Sequence, residues 1–413
     1  MMKKTLWVLL LTALLLLAGC GTDEKQEPTE RPLVEVQIPY ETVERELKYQ
    51  GTALTLQSMW QREDPQTRIL LEAAKLFEKQ TGAVVTILWS GEYAATPEKP
   101  EKTDIFQLSA SDFAALPKEH TLDLTQMASA AQYDAKSHAA LRQQITEQCG
   151  YLGAVAQVPY LGGIYYNTEI FQQCDIQMTP ETWEQFLAVC RMLKAFGWDP
   201  LTLDSSDAVT AMELHLRCTI GDDEMVRLMG KKAYWHYDQA VIAAMEQVAN
   251  FVRDGNLAGN APADDPAGQN RMALSSSAMM VGTNADCTDV EEATFTDLNW
   301  GIFPYPGNVS SGTWMTADVL MIHRDCPNGQ AAFDFLMLLA TGEFDQLRAD
   351  ISGGIPADPA NESSITGAMD AIKESQPVAL GVFGSRQLNA AVRLWSAWYQ
   401  KAQSYASALE RSK

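Results

Sequence analysis

Apolar positions recur along this chain with two alternating periods. Residues 53–60 read as a strand followed by a short turn. Asp64-Pro65 then marks a helix start, with the aspartate as cap and the proline in the first helical position. Ile69, Ala73, Leu76 and Phe77 fall on one face at helical spacing, and Gly82 closes that helix. Residues 83–89 form an aliphatic strand and residues 105–108 a third short one. Strand, helix, strand in this order predicts a parallel sheet covered by helices.

The middle of the chain repeats the pattern. Residues 153–160 are a small and aliphatic run ending in Pro159-Tyr160, and Ile164-Tyr165-Tyr166-Asn167 follows. Thr179-Pro180 opens a helix with Trp183, Phe186, Leu187, Cys190 and Leu193 on one face, and Gly197 stops it. A helix over 241–252, a buried strand over 278–281, and strands over 299–306 and 319–322 come next. Asn328 caps a helix carrying Ala332, Phe335, Leu336 and Leu339. The last long helix is expected over 385–409, with Leu388, Val392, Trp395 and Tyr399 on one side. No repeat of fixed period appears, which argues against a solenoid.

The first twenty residues follow a different rule. Lys3 and Lys4 precede an apolar run of about a dozen residues, too short for the roughly 20 a membrane span needs, and small residues follow. Leu17-Ala18-Gly19-Cys20 resembles the lipobox of bacterial lipoproteins, which implies cleavage before Cys20 and acylation of that residue. Residues 21–32 carry charges and prolines but no aliphatic side chain, so they cannot offset their ordering entropy and read as a flexible leash. Val34, Val36, Ile38 and Tyr40 alternate like a strand without an evident place.

Composition narrows the function. The chain has a formal net charge of −22 and, once Lys3 and Lys4 leave with the leader, −24. That field repels nucleic acid and anionic headgroups and disfavours a strongly anionic solute. Six cysteines remain beyond Cys20, none in a CxxC pair and too sparse for a disulfide scaffold; Cys190 falls on an apolar helix face. The five histidines form no His-Glu-x-x-His pattern. There is neither a Gly-x-Ser-x-Gly elbow nor a P-loop, so no catalytic residue, metal or cofactor is assigned.

Several segments in fixed order carry a resemblance. Val158-Pro159-Tyr160-Leu161-Gly162-Gly163-Ile164-Tyr165-Tyr166-Asn167 is followed by Thr179-Pro180-Glu181-Thr182-Trp183-Glu184-Gln185-Phe186 and Leu193-Lys194-Ala195-Phe196-Gly197. Phe77-Glu78-Lys79-Gln80-Thr81-Gly82 precedes them. Residues 276–282, Phe303-Pro304, Cys326-Pro327-Asn328 with Ala331-Ala332, and Gly353-Gly354-Ile355-Pro356 come after. Over roughly 51–360 the chain is similar to the extracellular solute-binding proteins of bacterial ABC importers, in the group that binds sugars. The resemblance implies an α/β, two-lobe periplasmic-binding-protein-like fold of type II, with a hinge of crossover strands and an interlobe cleft. Residues 1–19 would be the leader and 20–50 the anchor, linker and extension. The N-terminal lobe would hold 51–157 plus 318–353, the C-terminal lobe 158–309 plus 357–410, and the hinge 310–317 and 354–356, with a further crossover near 158–163. The implied partners are a small uncharged solute, a carbohydrate, and the permease subunits. A monomer is expected, with no nucleic-acid partner and with membrane contact through the lipid alone.

Sugars present apolar faces and rings of hydroxyls, so aromatic and planar polar side chains are the candidates. Trp60 follows the first strand and Trp89 ends the second. Tyr160 stands at the first crossover, and Trp314 sits in Ser311-Gly312-Thr313-Trp314 where the chain recrosses. Ser109, Ser111 and Asp112 follow the third strand and could take hydroxyls, although exposed loop is the plainer reading. Many sugar binders of the group carry an aromatic near position 284; here Asn284 and Asp286 could bond hydroxyls instead. Trp183, Trp235, Trp300, Trp395 and Trp398 read as packing. Two other functions fit the same sequence, an exported glycan hydrolase and a same-fold ligand sensor feeding a signalling partner. The anchor gives a direct expectation: Cys20→Ala leaves unacylated protein, uncleaved or released, and mass spectrometry finding normal acylation in that variant removes the reading.

Overall fold

Three apolar runs near the start of the fold become parallel strands. β1 (Ala53–Gln57) pairs along its length with β2 (Val84–Leu88), and through Leu56 and Gln57 with β3 (Ile105–Leu108). A parallel neighbour needs a long crossover, supplied between β1 and β2 by α1 (Thr67–Thr81), which buries Ile69, Leu70, Ala73, Leu76 and Phe77. Gly82 ends α1 with φ 79°, and its N–H donates to the Glu78 carbonyl at 2.8 Å. The start of α1 differs from expectation. Asp64 spends its carboxylate on the Gln61 N–H, 2.7 Å away, while its carbonyl accepts from the Thr67 hydroxyl at 2.7 Å. Asp64-Pro65 therefore closes a turn before the helix. The same shift occurs at Thr179-Pro180, where the helix begins at Trp183 and Thr182 forms a capping box with Gln185.

The computed structural model describes residues 47–91, 95–203, 208–230, 238–258, 276–294, 298–352 and 354–375. Cys20 with its leader and leash, the 34–40 alternation, Trp235, and the helix expected over 385–409 with Trp395 and Trp398 lie outside the described residues. At the near end, Tyr49 donates its N–H to the Thr81 carbonyl and its hydroxyl to Asp334, so 47–50 fold onto the first lobe.

After β3 come α2 (Ala110–Ala115), α3 (Thr125–Ala130), α4 (Ala139–Cys149) and then β4 (Ala154–Asn167). α5 (Thr168–Gln173), α6 (Trp183–Ala195), β5 (Asp199–Leu203), α7 (Ala208–Ile220), α8 (Asp222–Gly230) and α9 (Gln239–Arg253) follow. The chain continues through β6 (Ser277–Thr283), α10 (Asn284–Thr294), β7 (Trp300–Phe303), β8 (Tyr305–Pro306), β9 (Ser311–Gly312) and β10 (Trp314–Ile322). It then forms α11 (Gly329–Ala340), α12 (Gly342–Ser352) and α13 (Ala368–Ser375).

One 8-stranded sheet runs β2-β1-β3-β10-β4-β6-β5, with β7 also on β4. It is mixed, where the local strand–helix–strand rhythm predicts a parallel one. β1, β2 and β3 are parallel, as are β5 and β6, but β10 and β4 run antiparallel to each other and to their flanking strands. Those antiparallel pairings join segments more than a hundred residues apart, beyond the reach of a local pattern. β4 belongs to both halves: Ala154 to Gly162 pair with β10, and Ile164 to Asn167 with β7 on that same side.

The second lobe has its own aromatic core. Trp183, Phe186, Phe251 and Tyr305 are buried together, with Phe186 stacked on Phe251 at 5.6 Å, and Cys190 lies among them. Cys149, Cys174, Cys190, Cys218 and Cys287 are buried free thiols, and Cys326 is half-buried and free. Within this core His215 places Nε2 2.9 Å from the Ala244 carbonyl and Nδ1 3.1 Å from the Tyr305 hydroxyl. A carbonyl only accepts, so Nε2 carries the proton and Nδ1 takes the tyrosine's. Burial pushes this imidazole down to about 4. The unfolded chain binds the proton near 6.5, so stability held through neutral His215 is complete above about 6.5 and is lost as pH falls toward 4. The full effect is about 3 kcal/mol. Urea unfolding at about pH 7 and about pH 4 should show a loss of that order in the wild type that His215→Gln lacks; equal losses in both proteins would show that the imidazole does not carry it.

Candidate functional site

Register points to a candidate site. In the first lobe, Leu108 at the carboxyl end of β3 pairs with Val319 of β10, which pairs with Ala156 of β4. In the second lobe, Thr283 at the carboxyl end of β6 pairs with Gly162. The carboxyl ends of the parallel strands of both lobes thus converge on residues 156–162 of β4, a stretch of about 20 Å. Ligands of open α/β sheets bind at such a junction.

Tyr160 stands in the middle of that stretch and is half-buried. Its hydroxyl donates to Asp318 Oδ2 at 2.6 Å, and the N–H of Ala110, at the start of α2, donates to Asp318 Oδ1 at 3.2 Å. Burial, with Asp318 beside it, raises the Tyr160 phenol above its usual value. Burial likewise raises the Asp318 carboxyl, which the bonds from Tyr160 and Ala110 oppose. Asp318 reaches this place through a bulge: pairing slips between Asp318 and Val319, and Gln157 is the extra residue opposite.

Asn284 brackets Tyr160 from the other edge. Its side-chain carbonyl accepts from the Leu161 N–H at 2.8 Å, and its amide donates to the Pro159 carbonyl at 3.3 Å. Asn284 directly follows the last residue of β6, so its carboxamide continues the β6–β4 ladder where the backbone turns into α10. Asp286 accepts from the Thr283 N–H at 2.6 Å and its hydroxyl at 2.9 Å, fixing the same corner. Trp314 lies opposite Gly162, 5% exposed and within the second lobe's core. A Cβ at position 162 would sit 1.8 Å from the indole, so only glycine lets β4 pass the ring.

Trp60 and Trp89 gather at the carboxyl end of β1 and β2, where the Ser90 N–H donates to the Trp60 carbonyl at 3.0 Å. Both indoles are buried, and the Arg62 guanidinium lies over Trp89 at 5.6 Å. A polar ladder joins this corner to β4. The Ser58 hydroxyl donates to Gln107 Oε1 at 2.7 Å and accepts from the Trp60 N–H at 3.0 Å, and Gln107 Nε2 donates to Gln157 Oε1 at 2.8 Å. The structure thus brings Tyr160, Asn284, Asp286 and Trp314 to the crossover, and Trp60 and Trp89 to the β1–β2 end. Ser109 caps α2 by accepting from the Asp112 N–H at 3.1 Å.

Sequence reasoning missed Asp318, Gln107 and Gln157, although a signal was present. Each is a polar residue inside an otherwise apolar strand run, and a buried polar group needs a partner. Among the described residues no group of acidic, histidine and cysteine side chains could hold a metal ion.

Residues 72–375 match the family model described as bacterial extracellular solute-binding protein. A comparison with curated proteins finds no match. Among solved structures, ligand-free RafE from Streptococcus pneumoniae is 16% identical with a TM-score of 0.63, covering 85% of this chain and 98% of RafE. RafE in complex with raffinose matches at 0.59 and 15% identity, over 85% and 99% of the two chains. A probable secreted solute-binding lipoprotein of Streptomyces coelicolor matches at 0.61 and 14% identity, over 84% and 98%. A maltose-bound binding protein of T. maritima matches at 0.59 and 13% identity, over 88% and 100%. These likenesses carry the two-lobe fold.

The Gly162–Trp314 contact makes a stability prediction. Trp314→Ala should cost about 3–5 kcal/mol in urea unfolding, as for other buried aromatics. Gly162→Ala should destabilise on its own account, yet add much less in the Trp314→Ala background, because the clash is then gone. Additive losses would show that the two residues do not pack as described.

Proposed function

The chain belongs to the bacterial extracellular solute-binding proteins, and from that premise we propose that it captures an uncharged carbohydrate between its lobes for the permease subunits of an ABC importer. In this reading lipid on Cys20 holds it at the outer face of the membrane, and no turnover is involved. The proposed lobes are 51–157 plus 318–353 and 158–309 plus 357–410, of which 376–410 lie outside the described residues, and the proposed hinge is 310–317 and 354–356.

The observation that carries the proposal is the convergence of both lobes' strand ends on residues 156–162, with half-buried Tyr160 at the centre. A phenol ring offers a sugar its apolar face. Gln107, Gln157 and Asp318 supply amide and carboxylate groups of the kind that bond hydroxyls. Structural relatives in complex with raffinose and with maltose favour a carbohydrate, and the formal charge of −22 disfavours an anion. Tyr160 and Trp60 are assigned to the solute. Trp89, Asn284, Asp286 and Trp314 support the walls that hold them.

A thermal-shift screen tests the proposal with mono- and oligosaccharides, raffinose and maltose among them, beside amino acids and polyamines. A bound sugar at a hundred times its dissociation constant adds about 2.7 kcal/mol of stability. Calorimetry with that sugar should show Tyr160→Ala weakening binding about 5- to 150-fold, by analogy with base–aromatic stacking. Stabilisation by an amino acid or polyamine and by no sugar would refute the carbohydrate reading.

A further inference from the structure

β2 is the outermost strand at one end of the sheet, and among the described residues no strand pairs with its far edge. Its hydrogen bonds show which groups face that edge. The Val84 N–H donates to the Thr52 carbonyl at 2.9 Å, and the Leu88 carbonyl accepts from the Ser58 N–H at 2.8 Å. Backbone groups alternate in direction along a strand, so residues 84, 86 and 88 turn theirs toward β1, and Val85 and Ile87 turn theirs outward. The side chains alternate too. Val85 and Ile87 pair in register with buried Leu54 and Leu56 and share their face, yet both are only half-buried. Val84, on the other face, is 45% exposed. An open apolar edge of this kind invites pairing with another strand.

A segment upstream fits it. Val34, Val36, Ile38 and Tyr40, outside the described residues, alternate with Glu35, Gln37, Pro39 and Glu41. The described chain begins close to the open edge. The Tyr49 N–H donates to the Thr81 carbonyl at 2.7 Å, and a Cβ on Gly82 would meet Leu47 Cβ at 3.1 Å. The chain thus enters the fold beside the amino end of β2. Residues 41–46 separate Tyr40 from Leu47. Extended, they span about 20 Å, whereas a strand added to β2 lies only about 4.8 Å from it. The shortest path puts Tyr40 at the amino end of β2 and makes the pairing antiparallel.

Two features of the segment then agree on one register. With Ile38 opposite Ile87 and Tyr40 opposite Val85, the apolar side chains join the face of Leu54 and Leu56, because opposed residues share a face. The same register makes Ile38 and Tyr40 the residues that exchange hydrogen bonds with the outward groups of Ile87 and Val85. Pro39, which has no N–H to give, falls opposite Thr86 with its nitrogen facing away. A slip of one residue would turn the apolar side chains to the wrong face and the proline inward. We propose that residues 34–40 add to the free edge of β2 as an antiparallel strand, with Ile38 opposite Ile87. The extension is then part of the first lobe, and Pro39 blunts the new edge against further chains. With lipid on Cys20, as in the reading above, only residues 21–32 remain as leash, about 40 Å at full stretch, and the lobe held by the anchor is the first one. The strand itself stands whichever solute is captured.

Cysteine pairs in the full chain test the register. Pro39→Cys with Thr86→Cys, and Glu41→Cys with Val84→Cys, would occupy opposed positions about 4.5 Å apart at Cα, within disulfide reach. Thr86 and Val84 are exposed, so the changes spare the core. Both pairs should bridge on mild oxidation about tenfold faster or more than the out-of-register pair Pro39→Cys with Leu88→Cys, with peptide mapping separating these bridges from those of native thiols. Hydrogen exchange gives a readout without cysteines. The Val85 and Ile87 amides should be protected in the wild type, and Ile38→Asp should speed their exchange about tenfold or more while leaving β4 unmoved. Equal bridging by all three pairs would overturn the proposal, as would an Ile38→Asp protein that exchanges like the wild type at Val85 and Ile87. Bridges joining two chains, seen as mixed-mass peptides when isotope-labelled and unlabelled protein are combined, would also overturn it and make the edge a contact between copies.

Discussion

A strand that leaves one lobe for another must keep its peptide groups paired all the way across, because a buried amide without a partner is costly. β4 meets this constraint with an exchange of neighbours. On one edge β10 hands over to β7. On the other, β6 covers the far half, and where β6 ends the Asn284 side chain takes its place for the Pro159 carbonyl and the Leu161 N–H. That exchange holds the two half-sheets in one continuous sheet. It also brings the carboxyl ends of the parallel strands of both lobes to the same few residues. The position of the candidate site is thus a by-product of satisfying one strand's backbone.

Buried polar side chains within the strands gather around the same crossing. Gln107, Gln157 and Asp318 interrupt apolar runs, and each is buried and bonded. A sheet centre with this much polarity gives up apolar burial, and the loss is offset by the aromatic core of the second lobe and by the packing of Phe77 against Phe335 in the first, at 5.2 Å.

The elements that bury one clean face were legible in the sequence. The first three strands and the helix ending at Gly82 follow the apolar period, and Trp183, Phe186, Cys190 and Leu193 face the core their spacing implied. Helix starts at Asp64-Pro65 and Thr179-Pro180 were misplaced, because a capping residue serves a turn equally well and only the tertiary context decides. β4 read as two pieces because Gly162-Gly163 lacks apolar side chains, and its glycine is there for a ring that arrives from β10. The short helices over 110–149 carry little apolar period and went unread. Of the candidate residues, Tyr160 stands at the crossover that the resemblance implied. Asp318 depends on a neighbour 158 residues away, and pairing over that span leaves no local trace.

The fit of Trp314 against Gly162 has a consequence for lineages rather than for a single molecule. No side chain at 162 is compatible with the indole as it lies, and no smaller residue at 314 fills the space the indole occupies. A descendant that alters one position alone passes through a state with either a clash or a cavity at the seam. The two sites should therefore be inherited as one character, glycine with tryptophan or a larger residue with a smaller one.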